Sequence, residues 1–430
     1  MSLDDRVAEL SEVLLDDTYK GIPLGHSVRL GAIAEPGWNV ARGDLALPVT
    51  TLHAPSIEAN LRTMTDFCAR HGAELAPHGK TTMAPQLFAR QLALGATAMT
   101  AATPTQVAVM RRFGVPTIIL ANELVEPAAL SWIAGELARD QDFTFHCLVD
   151  SASTVRLMDE TLEHAGFDVT IPVLLEVGLS QGRAGVRSES SALQVAEAIQ
   201  QARHLRLAGV EAYEGLVASG ATAGDVDAVD QFLTTVADTA RLLAGKNLFD
   251  ADEIIVTAGG SAYFDRVVTA LKTIDITGTR VRVILRSGCY VTHDDGKYAR
   301  LSPLDGRSAP GERLRLRDAL TGWGAVLSRP EEDLAIVGAG KRDFPFDVDL
   351  PRPHTAYRTD GSSWDIAAEA KAFKVMDQHT FLRLSPGTQL APGDVVAFGL
   401  SHPCTAFDKL RMLPLIDDDA TVVDAVVTFF

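Results

Sequence analysis

From about residue 47 to residue 286 the chain repeats one unit, a short run rich in β-branched residues followed by an amphipathic stretch of 10 to 18 residues. Segments of period 2 and period 3.6 in such regular alternation bury their apolar faces together as parallel strands covered by helices. Strands are predicted near residues 47–52, 73–76, 96–101, 117–121, 143–149, 171–177, 205–213, 253–258 and 281–286, with a helix in every gap. That is one strand more than the eight that close a barrel. Helix punctuation agrees: Pro55 opens a segment that Gly72 ends, Thr103-Pro104 opens one that Gly114 ends, and Ser151 starts one that stops at Gly166. The fold class is therefore α/β, a (β/α)8 TIM barrel.

After about residue 290 the pattern changes to alternation broken by Gly and Pro, as in LRLRDALTGWGAVL, the turn Ala391-Pro392-Gly393-Asp394, and VVAFGL before SHPC. This predicts a C-terminal antiparallel β domain. The segment 341–366, rich in Pro, Asp and Arg, reads as a surface loop. The expected division is an N-terminal segment at 1–52, part of it packing with the β domain, a barrel at 53–288 and the β domain at 289–430.

Composition narrows the partners. The 430 residues are 47% hydrophobic and carry 39 basic against 56 acidic side chains, a net charge of -17. Such a surface repels phosphate backbones and anionic lipids, which argues against nucleic acid or membrane and leaves a small-molecule site. The acidic start MSLDDRVAEL is no signal peptide, and no run reaches the roughly 18 apolar residues of a membrane helix. A cytoplasmic protein is expected. Cys68, Cys147, Cys289 and Cys404 lack Cys-x-x-Cys spacing, so neither a disulfide framework nor a four-thiolate metal site is signalled.

Several residues stand where barrel enzymes keep reactive groups, just past the C-terminal ends of strands. Lys80 lies in such a loop in AELAPHGKTTMAP, although a lone loop lysine is ordinarily a solvated charge. Arg183 sits among glycines in EVGLSQGRAGV, where a guanidinium can meet an anionic oxygen or simply decorate a turn. Gly259, Gly260 and Ser261 in TAGGSAYFD follow the seventh barrel strand at the expected start of a helix, a place suited to phosphate and equally to a tight turn. Tyr213 and Tyr290 end or follow strands and either face the same mouth or pack in the core. His402 and Cys404, spaced i, i+2, share one side of the chain if the strand stays extended and could then hold a metal. Two protein ligands fall short of a structural zinc site, so a metal there needs water or substrate as well.

Taken in order, Pro77-His78-Gly79-Lys80-Thr81, EVGLSQGRAGV, VEAYEG, TAGGSAY, SGCYVTHD and SHPCTAFDKLRMLP resemble the motifs of the fold-type III pyridoxal 5'-phosphate (PLP) enzymes. That family includes D-serine dehydratase, D-threonine aldolase and, more distantly, alanine racemase, and the resemblance covers roughly residues 47–430. It implies that Lys80 carries PLP as a Schiff base with His78 beside it. It also implies that Arg183 approaches the phenolic oxygen, Tyr213 lies against the pyridine ring, Gly259, Gly260 and Ser261 hold the phosphate, and Tyr290 neighbours the cofactor. The dehydratase branch binds zinc through a His-x-Cys pair, whereas the aldolase branch has His-x-Asp, so His402 and Cys404 point to a dehydratase. Ala76 and Thr82 stand where relatives often carry Arg and His.

The activity so implied is a PLP- and divalent-metal-dependent D-serine dehydratase giving pyruvate and ammonia, with D-threonine and 3-hydroxyaspartate as further candidate substrates. The alternatives are retro-aldol cleavage to glycine and an aldehyde, and a non-catalytic PLP carrier, against which the β domain argues. The resemblance also implies a head-to-tail homodimer.

Overall fold

The computed structural model describes residues 2–430. Contacts divide the described residues into two compact units, one made of residues 2–64, 81–90 and 289–430, the other of residues 65–80 and 91–288. Residues 54–64 and 81–90, inside the expected barrel span, thus group with the β-rich unit. No helix among the described residues is long and apolar enough to cross a membrane.

In chain order the alternating region runs β1 (Val49–His53), α1 (Ala54–His71), β2 (Glu74–Leu75), α2 (Pro85–Ala93), β3 (Met99–Ala101), α3 (Pro104–Arg112), β4 (Thr117–Glu123) and α4 (Pro127–Arg139). It continues β5 (Thr144–Val149), α5 (Ala152–Ala165), β6 (Ile171–Val177), α6 (Glu189–Gln201), β7 (Leu205–Ala212), α7 (Ala223–Gly245), β8 (Glu253–Ala258), α8 (Phe264–Leu271) and β9 (Arg280–Leu285). The expected helix punctuation is real. Thr103 and Ser151 accept N-cap hydrogen bonds from the amides of Gln106 and Thr154, and Gly166 closes α5 in the left-handed region at φ 73°.

Strands β2 to β9 pair in parallel in the order β2, β9, β8, β7, β6, β5, β4, β3. The last gap closes where the amides of Thr97 and Thr100 donate to the carbonyls of Leu75 and Pro77, each at 2.8 Å, and the Thr100 hydroxyl donates to Ala76 at 2.7 Å. The eight-stranded barrel is complete. One residue per strand region fills its axis: Ala76, Ala98, Ile119, Leu148, Leu174, Ala208, Ile255 and Ile284, all buried. Mixing alanine with branched chains lets eight side chains meet in one small space at interior density.

The ninth predicted strand, β1, belongs to the other unit, where it pairs antiparallel with β10 (Leu320–Glu331) and parallel with a strand at Met412–Ile416. That unit's sheet also contains β11 (Leu334–Val337), β12 (Arg352–Tyr357), β13 (Ser363–Asp365), β14 (Ala370–Val375), β15 (Thr380–Leu384) and β16 (Val395–Gly399). A short helix, α9 (Cys404–Phe407), follows, then β17 (Met412–Ile416) and β18 (Val422–Val427). The path runs β13, β12, β16, β10, β11, β15, β14, all antiparallel.

The surface loop expected at 341–366 is corrected here, because its second half forms β12 and β13. Pro353 disguised the first of these. It sits at a register shift beside Thr355, a place where a strand tolerates proline.

Strand β7 contains a bulge that matters to the site. Leu207 lies opposite Val173 but Gly209 lies opposite Leu174, so Ala208 is an extra residue and the inward phase of the strand shifts by one. Only glycine fits the re-phased position, since a Cβ on Gly209 would stand 2.0 Å from the Ile255 carbonyl oxygen. Gly209→Ala is expected to destabilise the protein at the upper end of the roughly 1–3 kcal/mol range for overpacking, measured as a lower midpoint in chemical denaturation.

Candidate active site

Two residues beyond the apolar ring, six of the eight positions are polar, Ala121 and Val210 being the exceptions. The six are His78, Thr100, Asp150, Glu176, Thr257 and Arg286, and the bulge brings Glu211 into the same layer one residue late. All belong to the barrel unit and lie at the C-terminal ends of its strands.

Arg286 organises this layer. Its guanidinium, 2% exposed, pairs with the equally buried Glu211 and donates to the Thr257 hydroxyl at 3.0 Å and the Ala212 carbonyl at 2.9 Å. Glu211 and Glu176 lie opposite each other on neighbouring strands. Burial, then the Glu211 and Glu123 carboxylates, pushes Glu176 up to about 9, so it holds its proton at neutral pH. His78 is held well below the usual imidazole range by burial and then by the charges of Lys80, Arg286 and Arg183, so it is neutral. Its Nδ1 is buried without a hydrogen-bond partner.

Lys80 occupies a single 3-10 turn, Gly79–Thr81, and its half-buried ammonium has no hydrogen bond or ion pair among the described residues. The Arg183 guanidinium lies 4.8 Å from the centroid of the Tyr213 ring, so the two residues form one wall. The loop that carries Arg183 is tied down by the Gly185 amide donating to Asp150 at 3.1 Å and by Arg187 donating to the Ala184 carbonyl at 2.9 Å.

The glycine loop departs from expectation in two ways. Helix α8 starts at Phe264 with Tyr263 as N-cap, so Gly259, Gly260 and Ser261 precede the helix and do not open it. The Gly260 amide donates to Glu214 Oε1 at 2.8 Å, while Ser287 donates to the Gly260 carbonyl at 2.7 Å. Both glycines are obligatory. A Cβ on Gly260 would stand 2.1 Å from Glu214 Oε1, and one on Gly259 would stand 2.9 Å from Arg286 Nη2. The loop is thus braced from inside the protein by a buried carboxylate.

The remaining expected residues belong to the β-rich unit. Tyr290 is buried in the turn Cys289–Val291. His402 and Cys404 are not on an extended strand, because β16 stops at Gly399, His402 has φ 63°, and Pro403 already has helical angles leading into α9. Their grouping comes from other contacts. The His402 amide donates to the fully buried Asp294 at 2.8 Å, and its ring Nδ1 bonds Asp347 Oδ2 at 2.5 Å. The Thr405 hydroxyl donates to Asp347 Oδ1 at 2.7 Å. Cys404 Sγ lies 3.4 Å from Thr81 Oγ1 and 3.6 Å from Cys289 Sγ. No three His, Cys, Asp or Glu side chains among the described residues are grouped as a complete metal site.

Sequence reasoning missed Glu176, Glu211, Glu214 and Arg286, although each leaves a signal: a charged residue within or at the end of an apolar strand run, as in VLLEVG and VILRSG. Asp347 leaves none, since nothing in its own segment relates it to a histidine 55 positions away.

The residues present suit an aldehyde cofactor with anionic groups. They include an unpaired amine, a guanidinium beside an aromatic ring, and a glycine loop that any side chain would fill. In the β-rich unit, the imidazole Nε2 of His402 and the Cys404 thiol suit a borderline-soft divalent cation completed by water or substrate.

Comparison with known proteins agrees. Residues 319–416 match the family described as "Putative serine dehydratase domain". The D-threonine aldolase of Arthrobacter sp is 28% identical over 387 residues, spanning 90% of this chain and 92% of that protein. The solved D-threonine aldolase from Filomicrobium marinum has a TM-score of 0.74 at 23% identity, covering 91% of this chain and 96% of its own. The D-threo-3-hydroxyaspartate dehydratase from Delftia sp. HT23 has a TM-score of 0.70 at 18% identity, covering 91% and 99%. The two structural likenesses establish the fold, barrel and β domain together.

Because Glu176 keeps its proton in the folded chain after the unfolded chain has released it, the stability this neutral carboxyl confers is full below about 4.5 and is lost as pH rises toward about 9. Glu176→Gln is expected to remove that loss in the cofactor-free protein. Thermal melts from pH 5 to pH 9 should show the variant gaining on the wild type as pH rises.

Proposed function

We propose that this chain, which is similar to the fold-type III PLP enzymes, is a metal-assisted dehydratase of β-hydroxy D-amino acids. D-serine is the simplest substrate, converted to pyruvate and ammonia. The observation that carries the elimination reading is the thiol of Cys404 two residues from an imidazole whose Nδ1 is already engaged by Asp347. A thiolate and an Nε2 donor select a zinc-like ion over magnesium.

When bound, PLP supplies the electron sink for the pair left at Cα. The ion at His402 and Cys404 supplies a Lewis acid for the β-oxygen, since hydroxide leaves poorly unaided. Lys80 Nζ, freed once substrate takes its place, is the base that receives the Cα proton. No partner carboxylate competes for that amine. Arg183, which lies 4.8 Å from the centroid of the Tyr213 ring, would meet the anionic ring oxygen and with Tyr213 would hold one side of the cofactor. Neutral His78 adds an uncharged edge beside the lysine. Water is lost from D-serine and regained as the released enamine hydrolyses, so the sum is D-serine to pyruvate plus ammonia. Larger β-hydroxy substrates, D-threonine and D-3-hydroxyaspartate, use the same groups.

A second reading has its own support. The relative that is 28% identical across nine-tenths of this chain is an aldolase. In that reading a base removes the β-hydroxyl proton, the Cα–Cβ bond breaks, the β-carbon leaves as an aldehyde, and Cα takes up a proton to give glycine.

Purified protein supplied with PLP is expected to form pyruvate from D-serine but not L-serine, to stop with chelator and to resume with zinc. Glycine and acetaldehyde from D-threonine, without pyruvate from D-serine, would assign the aldolase reaction instead. Lys80→Ala should abolish the visible band of bound PLP and lower turnover by at least about 100-fold. Cys404→Ala should keep that band and lose the zinc response.

A further inference from the structure

His402 is held by two carboxylates that do different work. Asp294, with no exposed surface, accepts the amides of Gly296 and Tyr298 at 3.0 and 2.8 Å as well as that of His402. It therefore stabilises the left-handed backbone at φ 63°, a conformation uncommon for residues other than glycine. Asp347 acts on the ring. One of its oxygens bonds Nδ1 and the other is fixed by the Thr405 hydroxyl, which also donates to the His402 carbonyl at 3.1 Å.

We propose that Asp347 is a positioning residue that fixes the tautomer and the rotation of the His402 ring, so that Nε2 is the nitrogen presented to a divalent cation. An ionised carboxylate can only accept, so the proton must reside on Nδ1 and the lone pair on Nε2. Thr405 completes the device by stopping Asp347 from rotating away, and it is itself held in the short helix α9. The imidazole is thus aimed before any cation arrives.

This inference rests on the metal-dependent reading above, and two variants separate them. Asp347→Ala leaves the ring free, while Asp347→Asn keeps a hydrogen-bond acceptor but removes the charge. Zinc affinity of the PLP-loaded protein, measured by competition with a chromophoric chelator, is expected to fall by about 10- to 100-fold in Asp347→Ala and by less in Asp347→Asn. Thr405→Val should shift it in the same direction. The visible band of bound PLP and the melting temperature should be unchanged, since Asp347 is solvent-exposed and far along the chain from Lys80. In protein carrying 15N-labelled histidine, the His402 signals should report a protonated Nδ1 in the wild type and a mixture of tautomers in Asp347→Ala. Wild-type protein that binds zinc, with Asp347→Ala binding it equally well, overturns the assignment alone. Wild-type protein that binds no zinc overturns the metal-dependent reading and the assignment with it. A wild-type His402 protonated on Nε2 also overturns the assignment.

Discussion

The guanidinium of Arg286 lies inside the barrel with almost no exposed surface, and the polar end of the barrel is arranged around it. It binds Glu211 and the Ala212 carbonyl at the end of β7 and Thr257 on β8, while its own carbonyl receives the His78 amide beyond β2. A buried charge of this kind adds little net stability over an apolar substitute, but removing one partner leaves the other uncompensated, at a cost of about 3–5 kcal/mol. What it provides is position. Gly259 must be glycine because Arg286 stands behind it, and Gly260 must be glycine because Glu214 stands behind it.

The same layer sets the charge states on which chemistry depends. Three carboxylates, Glu123, Glu176 and Glu211, act on one another at this end of the barrel, and of the three it is Glu211 that pairs with the buried Arg286. Proton retention by Glu176 is the cheapest way to relieve that crowding. His78 is neutral through burial and then through the charges of Lys80, Arg286 and Arg183, a cationic surround in a chain whose net charge is -17. Anionic groups of a ligand are therefore drawn to one place on an otherwise repelling surface.

Much of the barrel was legible from periodicity, because βα alternation has few ways to bury both faces. The eight barrel strands, the seven helices between them and caps such as Thr103 and Ser151 follow from local pattern and hold in the structure. Strands β12 and β13 were not legible, since proline and charge normally exclude a sheet interior and only a bulge at Pro353 admits them. Lys80, Arg183, Tyr213 and the glycine loop could be nominated by their place after strands. The geometry of His402 and Cys404 could not be, because an i, i+2 spacing presupposes an extended chain and the chain turns left-handed at His402.

The sequence by itself therefore determined the architecture of the barrel and the positions in the chain from which reactive groups extend, because periodicity and turn chemistry act over a few residues. The tertiary structure decided which groups support them. Glu211 faces inward only because a bulge shifts β7 by one residue, and Glu214 reaches Gly260 across 46 positions. Asp347 reaches His402 across 55. Contacts of that separation are set by packing of whole elements against one another, a constraint that no local stretch of sequence records.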